Sequence, residues 1–147
     1  MKKVSLIIPC YNEEQALPIF AKELDKVRQD LPQYEFEVLM VNDGSSDGTL
    51  EIMKTISEQY TYFKYLSFSR NFGKESAMYA GFSNADGDYV AVMDADMQDP
   101  PSLLPDMLEI LEQGEYDSVA TRRVTRKGEP PIRSWFARRF YKLINRI

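Results

Sequence analysis

Residues 89–101 read YVAVMDADMQDPP, from Tyr89 to Pro101. The run 89–93 is apolar, with β-branched Val90 and Val92, and predicts a buried strand. It passes directly into Asp94, Asp96 and Gln98, then stops at Pro100-Pro101. Alternate side chains of an extended chain share one side. If 94–98 stays extended, Asp94, Asp96 and Gln98 therefore point the same way. Two carboxylates and an amide oxygen make half of a hard-cation site for Mg²⁺ or Mn²⁺, whose shell is completed by phosphate oxygens and water. The plainer alternative makes Asp94 and Asp96 solvated loop acids, with Asp99 capping a helix that opens at Pro100. The capping role is compatible with both readings.

The preceding chain shows what surrounds this stretch. Residues 4–9 (VSLIIP), 36–41 (FEVLMV) and 63–68 (FKYLSF) read as three earlier strands. Between them, Leu17, Phe20, Ala21, Leu24 and Val27 recur at helical spacing, as do Leu50, Met53 and Ile56. Asn12 is placed to cap the first helix, with Glu13 and Glu14 at the positive end of its dipole. Asp47 is placed to cap the second helix, which starts at Thr49. A third helix, 75–84, is rich in small residues. After Pro101 a helix runs to about Gln113, lined by Leu103, Leu104, Met107, Leu108 and Leu111, with Gly114 at its stop. Residues 117–121 (DSVAT) read as a fifth, short strand.

Alternating strands and helices predict an α/β domain, a mostly parallel sheet with helices on both faces. Ligands of such sheets bind beyond the carboxyl ends of the strands. Tyr11-Asn12-Glu13, Asn42-Asp43-Gly44, residues 70–74 and residues 94–98 all fall at such ends. The domain expected here covers 1–121.

Residues 122–147 differ in character. They hold nine Lys/Arg against one acid, Glu129, while the other 121 residues carry a net charge of −13. Residues 132–147 read as a basic amphipathic helix whose stripe includes Trp135, Phe136, Phe140 and Leu143, which suits a membrane surface. A nucleic-acid partner is disfavoured, because the body is acidic and the tail pairs its charge with an apolar stripe. The first apolar run ends at Pro9, too early for a signal peptide, and no run reaches the ~20 residues of a membrane helix. The sequence stops inside the periodic helical run, and we expect a piece of a longer protein. The single cysteine, Cys10, points to a reducing compartment and a core role. There is no histidine, which removes the commonest general base and zinc ligand. A homo-oligomer is compatible with the sequence.

Residues 4–13 (VSLIIPCYNE), 41–49 (VNDGSSDGT), 69–74 (SRNFGK) and 93–100 (MDADMQDP) together resemble the family 2 inverting glycosyltransferases. The likeness is greatest to the branch with dolichol-phosphate mannosyltransferase and the bactoprenol (undecaprenyl-phosphate) glucosyltransferases. Arg123, Arg126, Gly128 and Glu129, with the aromatic basic helix after them, also look like that branch. The resemblance implies a glycosyltransferase A-type, Rossmann-like fold, a nucleoside-diphosphate sugar donor such as UDP-glucose, a divalent metal and a polyprenyl phosphate acceptor.

Position by position, the resemblance puts Pro9, Tyr11, Asn12 and Glu13 at the nucleobase and ribose, and Asp43 at the base. Asp94 and Ala95 fall at the ribose or donor sugar, and Asp94 and Asp96 enter the catalytic centre. Asp96 and Gln98 match metal ligands, and Arg123 and Arg126 match arginines near the acceptor phosphate. It implies work on the cell envelope at the cytoplasmic face of a membrane. The family usually continues into a further acidic-basic segment and membrane helices, both downstream of residue 147.

Plainer roles stand beside these. Asp43 also suits a turn, Tyr11 a core, Glu13 dipole compensation and Lys74 either a phosphate or bulk water. Rival functions are a family 2 transferase with a polysaccharide or protein acceptor, an Asp-x-Asp phosphohydrolase and a non-catalytic membrane-docking domain. The phosphohydrolase pair is expected after the first strand, whereas this pair follows the fourth.

Overall fold

The computed structural model describes residues 1–122. The order is β1 (Lys2–Cys10), α1 (Ala16–Gln29), β2 (Tyr34–Asn42), α2 (Thr49–Gln59), β3 (Phe63–Ser67), α3 (Lys74–Asn84), β4 (Tyr89–Val92) and α4 (Leu104–Glu112). A 3₁₀ turn, Pro101–Leu103, precedes α4. The chain divides into two compact units, Met1–Ser102 and a second beginning at Leu103.

The first unit holds a four-stranded sheet in the order β3-β2-β1-β4, with every pairing parallel. β1 and β2 are its centre, in register from Lys2 opposite Tyr34 to Cys10 opposite Asn42. Leu6, Ile7, Ile8, Val38, Met40 and Val41 are fully buried, as expected of strands covered on both faces. Right-handed crossovers put α1 and α2 on one face and α3, which crosses back to β4, on the other. α1 touches α2, and α3 lies on β1 and β2. The small residues of α3 permit that approach: a Cβ on Gly81 would sit 2.3 Å from Ile7 Cγ2.

Strand order reverses between β1 and β4, because β1 is followed by β2 on one side and met by β4 on the other. A switch point of this kind opens a crevice at the carboxyl ends of the two strands.

Four expectations are corrected. β4 is half-exposed rather than buried, with Val90 42% exposed, because it is the sheet's edge among the described residues. Residues 117–121 form no strand; the run is short, begins with the exposed Asp117 and Ser118, and is only half-buried after them. Asn12 does not cap α1, which begins at Ala16 behind Gln15. Residues 94–98 do not stay extended. They turn, with Met97 at φ 65° and the Gln98 N–H donating to Asp96 Oδ1 at 3.1 Å. A carboxylate two residues back offers that N–H a closer partner than any neighbouring strand.

In the second unit, Leu104 and Leu108 of α4 are buried. Gly114 takes φ 77° just after the helix, where a glycine closes the last turn without a Cβ penalty.

Candidate active site

The strand ends supply the site. β1 runs out into Pro9, Cys10, Tyr11 and Glu13, β2 into Asp43, and β4 into Asp94, Asp96 and Gln98; Lys74 opens α3. These nine residues line one cleft of about 330 Å³. Asp94, Asp96 and Gln98 thus share a cavity although the alternation argument fails: the turn at 95–97, rather than an extended strand, brings them round.

Four carboxylates and one ammonium face this space. Lys74 Nζ lies 2.7 Å from Asp94 Oδ1. Burial, then the Asp96, Asp94 and Asp47 carboxylates, push the Glu13 carboxyl above its ordinary range. An excess of carboxylate charge around a lined cavity suits a cation. Among the described residues no group of three or more His, Cys, Asp or Glu side chains is arranged to hold a metal unaided. Asp96 and Gln98 offer only oxygen ligands, as Mg²⁺ and Mn²⁺ prefer, and too few of them to dispense with ligand oxygens. The donor set therefore fits a divalent ion that draws its remaining oxygen ligands from elsewhere.

Asp43 is the most heavily bonded of the acids. It is 4% exposed. Its Oδ1 accepts the Phe72 N–H at 2.8 Å, and its Oδ2 accepts the Gly73 N–H at 3.1 Å and Asn71 Nδ2 at 3.3 Å. Its own N–H donates to Cys10 O at 2.9 Å. The loop after β3 is thereby tied to the end of β2. Gly44 makes this contact feasible: it has φ 68°, and a Cβ there would lie 2.2 Å from Arg70 C and Asn71 N. The loop is further held by Arg70 over the Phe72 ring, 4.4 Å to its centroid, and by an edge contact of Phe68 with Phe72.

Two expected nucleotide-binding residues, Asn12 and Ala95, fall outside the cleft lining. Asn12, at φ 53°, spends its Oδ1 on the N–H groups of Ser46, at 2.8 Å, and Asp47. It clamps the loop after β1 to the loop after β2. Glu14 Oε2 and Thr49 Oγ1 add to that clamp through the Gly48 and Glu13 N–H groups. Ala95 is buried. Tyr11 is 51% exposed, so its ring is available to a base rather than part of the core. Cys10 was expected in the core, and it is 2% exposed; burial pushes its thiol up and makes it a poor nucleophile. That its residue also lines the cleft follows only from its place at the end of β1. Asp47 is not the N-cap of α2, a place Gly48 takes; it stands one residue earlier, and its Oδ1 accepts the Thr49 N–H at 3.0 Å. Arg123, Arg126 and residues 132–147 lie outside the described residues.

Residues 5–147 match the glycosyl transferase family 2. The chain belongs to that family. A putative glycosyltransferase, CsbB, of Bacillus subtilis (strain 168) is 42% identical over 97% of this chain and 43% of its own length. The bactoprenol glucosyl transferase of Shigella phage SfV is 40% identical over 99% of this chain and 47% of its own length. An undecaprenyl-phosphate 4-deoxy-4-formamido-L-arabinose transferase of Photorhabdus laumondii is 40% identical over 99% and 43%. The chain thus spans less than half the length of these curated relatives. Among solved structures, S. aureus TarS 1-349 in complex with UDP superimposes with a TM-score of 0.67, at 27% identity, over 87% of this chain and 38% of that one. The complex of TarS 1-349 with UDP-GlcNAc gives 0.64, at 26% identity, over 88% and 37%. The fold of this family 2 chain is glycosyltransferase A-type.

Proposed function

We propose that the chain is the donor-binding part of an inverting, metal-dependent transferase. It moves a hexose from a nucleoside-diphosphate sugar, UDP-glucose or a close relative, to a polyprenyl phosphate. The observation that carries this is the acidic cleft at the β1/β4 switch point, lined by Glu13, Asp94, Asp96, Gln98 and Lys74. The printed names of the SfV and Photorhabdus relatives support the polyprenyl acceptor, and the UDP complexes of TarS support a uridine nucleotide.

In this reading Tyr11 and Pro9 flank the nucleoside. Asp96 and Gln98 would hold Mg²⁺ or Mn²⁺, which supplies Lewis-acid neutralisation of the departing diphosphate. Lys74 adds a positive charge to the same cleft, where it pairs with Asp94, and Asp94 would lie near the ribose or donor sugar. The chain has no histidine to act as base, and needs none, because a lipid phosphate is already ionised near neutral pH. Arg123 and Arg126 are proposed to orient that phosphate through charge-assisted bonds. Residues 132–147 are proposed to lie on the cytoplasmic face of the membrane that carries the lipid.

The test is calorimetric titration of the chain with UDP-glucose in Mn²⁺ and in EDTA, followed by an assay of glucose transfer to undecaprenyl phosphate. Metal-dependent binding abolished by Asp96→Ala is expected. Equal binding in EDTA, or undecaprenyl phosphate left unmodified, sinks the respective half of the proposal.

A further inference from the structure

The family resemblance assigns Asp43 to the nucleobase, but its bonding suggests other work. Its carboxylate accepts the backbone N–H groups of Phe72 and Gly73 and the Asn71 amide. Asn71 Nδ2 also donates to Asp43 O at 3.2 Å. Gly73, at φ 103°, is the last residue before α3, and the first residue of α3 is Lys74, whose ammonium meets Asp94. A continuous run of short contacts therefore leads from the end of β2 through the loop to the cleft's single lining lysine.

We propose that Asp43 is a positioning residue: by holding the Asn71–Phe72–Gly73 backbone it sets Lys74 at the diphosphate end of the cleft. Loss of the carboxylate frees the loop, and Lys74 loses its fixed place. Asp43 then governs affinity for the diphosphate itself, whatever base is attached. This rests on the reading of the cleft as a donor site.

The experiment is a double-mutant cycle of Asp43→Asn and Lys74→Ala. Affinities for Mn²⁺–pyrophosphate, which has no base, and for Mn²⁺–UDP are measured by calorimetry. Amide hydrogen exchange is read on the free protein. Asp43→Asn is expected to weaken both ligands roughly tenfold, the scale of losing charge-assisted hydrogen bonds. It should weaken neither appreciably in the Lys74→Ala background, because residues acting through one another are non-additive. Exchange should speed up at Phe72 and Gly73 while Met40 and Val41 stay protected.

An equal loss in both backgrounds overturns the proposal, and so does a loss confined to UDP, which would mark a base reader. If Asp43→Asn does not fold, Asn71→Ala keeps the carboxylate and removes one donor; its smaller effect must vanish in the same background. A wild-type chain that binds neither ligand defeats the donor-site reading itself, and this proposal with it.

Discussion

The sheet has a charged cluster at each end, and the two are built on opposite terms. At the amino end, Glu37 is 4% exposed, yet its carboxylate accepts from Ser5 Oγ at 2.8 Å and Lys64 Nζ at 3.0 Å, with Lys3 Nζ at 3.6 Å. Lys3 also pairs with Asp86, and Asp25 accepts from Arg28 and from Tyr62 at 2.7 Å. The depression there, about 400 Å³, is larger than the cleft, but its charges are answered from within the chain. At the carboxyl end four carboxylates and one lysine line the cleft; Lys74 pairs with Asp94, and Asp43 is held by N–H groups of residues 71–73 rather than by a cation. The difference teaches that cavity size is a poor guide to function here. Charge left unbalanced by the protein is the better one, because it is what a cationic ligand can complete.

If so, substitutions at the carboxyl end should cost binding and spare stability. Asp96→Asn is the strongest case. It should weaken Mn²⁺–UDP by on the order of a hundredfold, since even the outer partners of metal ligands are worth tenfold to a hundredfold. The melting temperature should hold or rise, because a repelling charge is removed. A fall in melting temperature without loss of affinity would break the comparison.

Gly44→Ala is the expected exception, a structural lesion at the functional end. An alanine there must adopt φ 68° and push the backbone at Arg70 and Asn71. A destabilisation of about 2 kcal/mol should accompany weaker nucleotide binding. Urea unfolding and calorimetry on one preparation check both.

The sequence carried the framework well, because strand and helix periodicities are local and the four loops fall where strand polarity requires. It carried less of the site's detail. The alternation rule for Asp94, Asp96 and Gln98 assumed an extended backbone, which the bond from Gln98 N–H to Asp96 replaced with a turn. Asn12 looked like a helix cap or a nucleotide contact, but its partners are 34 and 35 residues away. Asp43's bonds to residues 71–73 are equally non-local. Glu37 lies inside an apolar run, where only the sheet's two-sided burial reveals a buried charge. The one usable signal was Asn-Asp-Gly itself, since the glycine marks a close approach of another backbone.

Glu37→Gln examines the other side of the comparison. It keeps the shape and removes the charge, and should cost about 1 kcal/mol. The loss is modest because the Lys64 side chain is 61% exposed and regains water. Mn²⁺–UDP affinity should not change; a change would mean that the two ends are coupled.

The smallest effect is the most specific to the imbalance. Glu13 holds its proton more tightly in the folded protein than an ordinary glutamate at 4.5, through burial and then its acidic neighbours. Between that value and the raised one, the native state binds more protons than the unfolded chain. Stability contributed by Glu13 therefore falls as pH rises through this window and stays lower above it. Glu13→Gln cannot ionise. In metal-free buffer it should melt slightly higher than wild type at neutral pH, with the difference closing below the ordinary glutamate range. Melting curves across that pH series decide it. A variant less stable than wild type at neutral pH would mean that the Glu13 carboxylate is compensated within the chain, as Glu37 is, and that the contrast between the two ends is smaller than the cleft's lining implies.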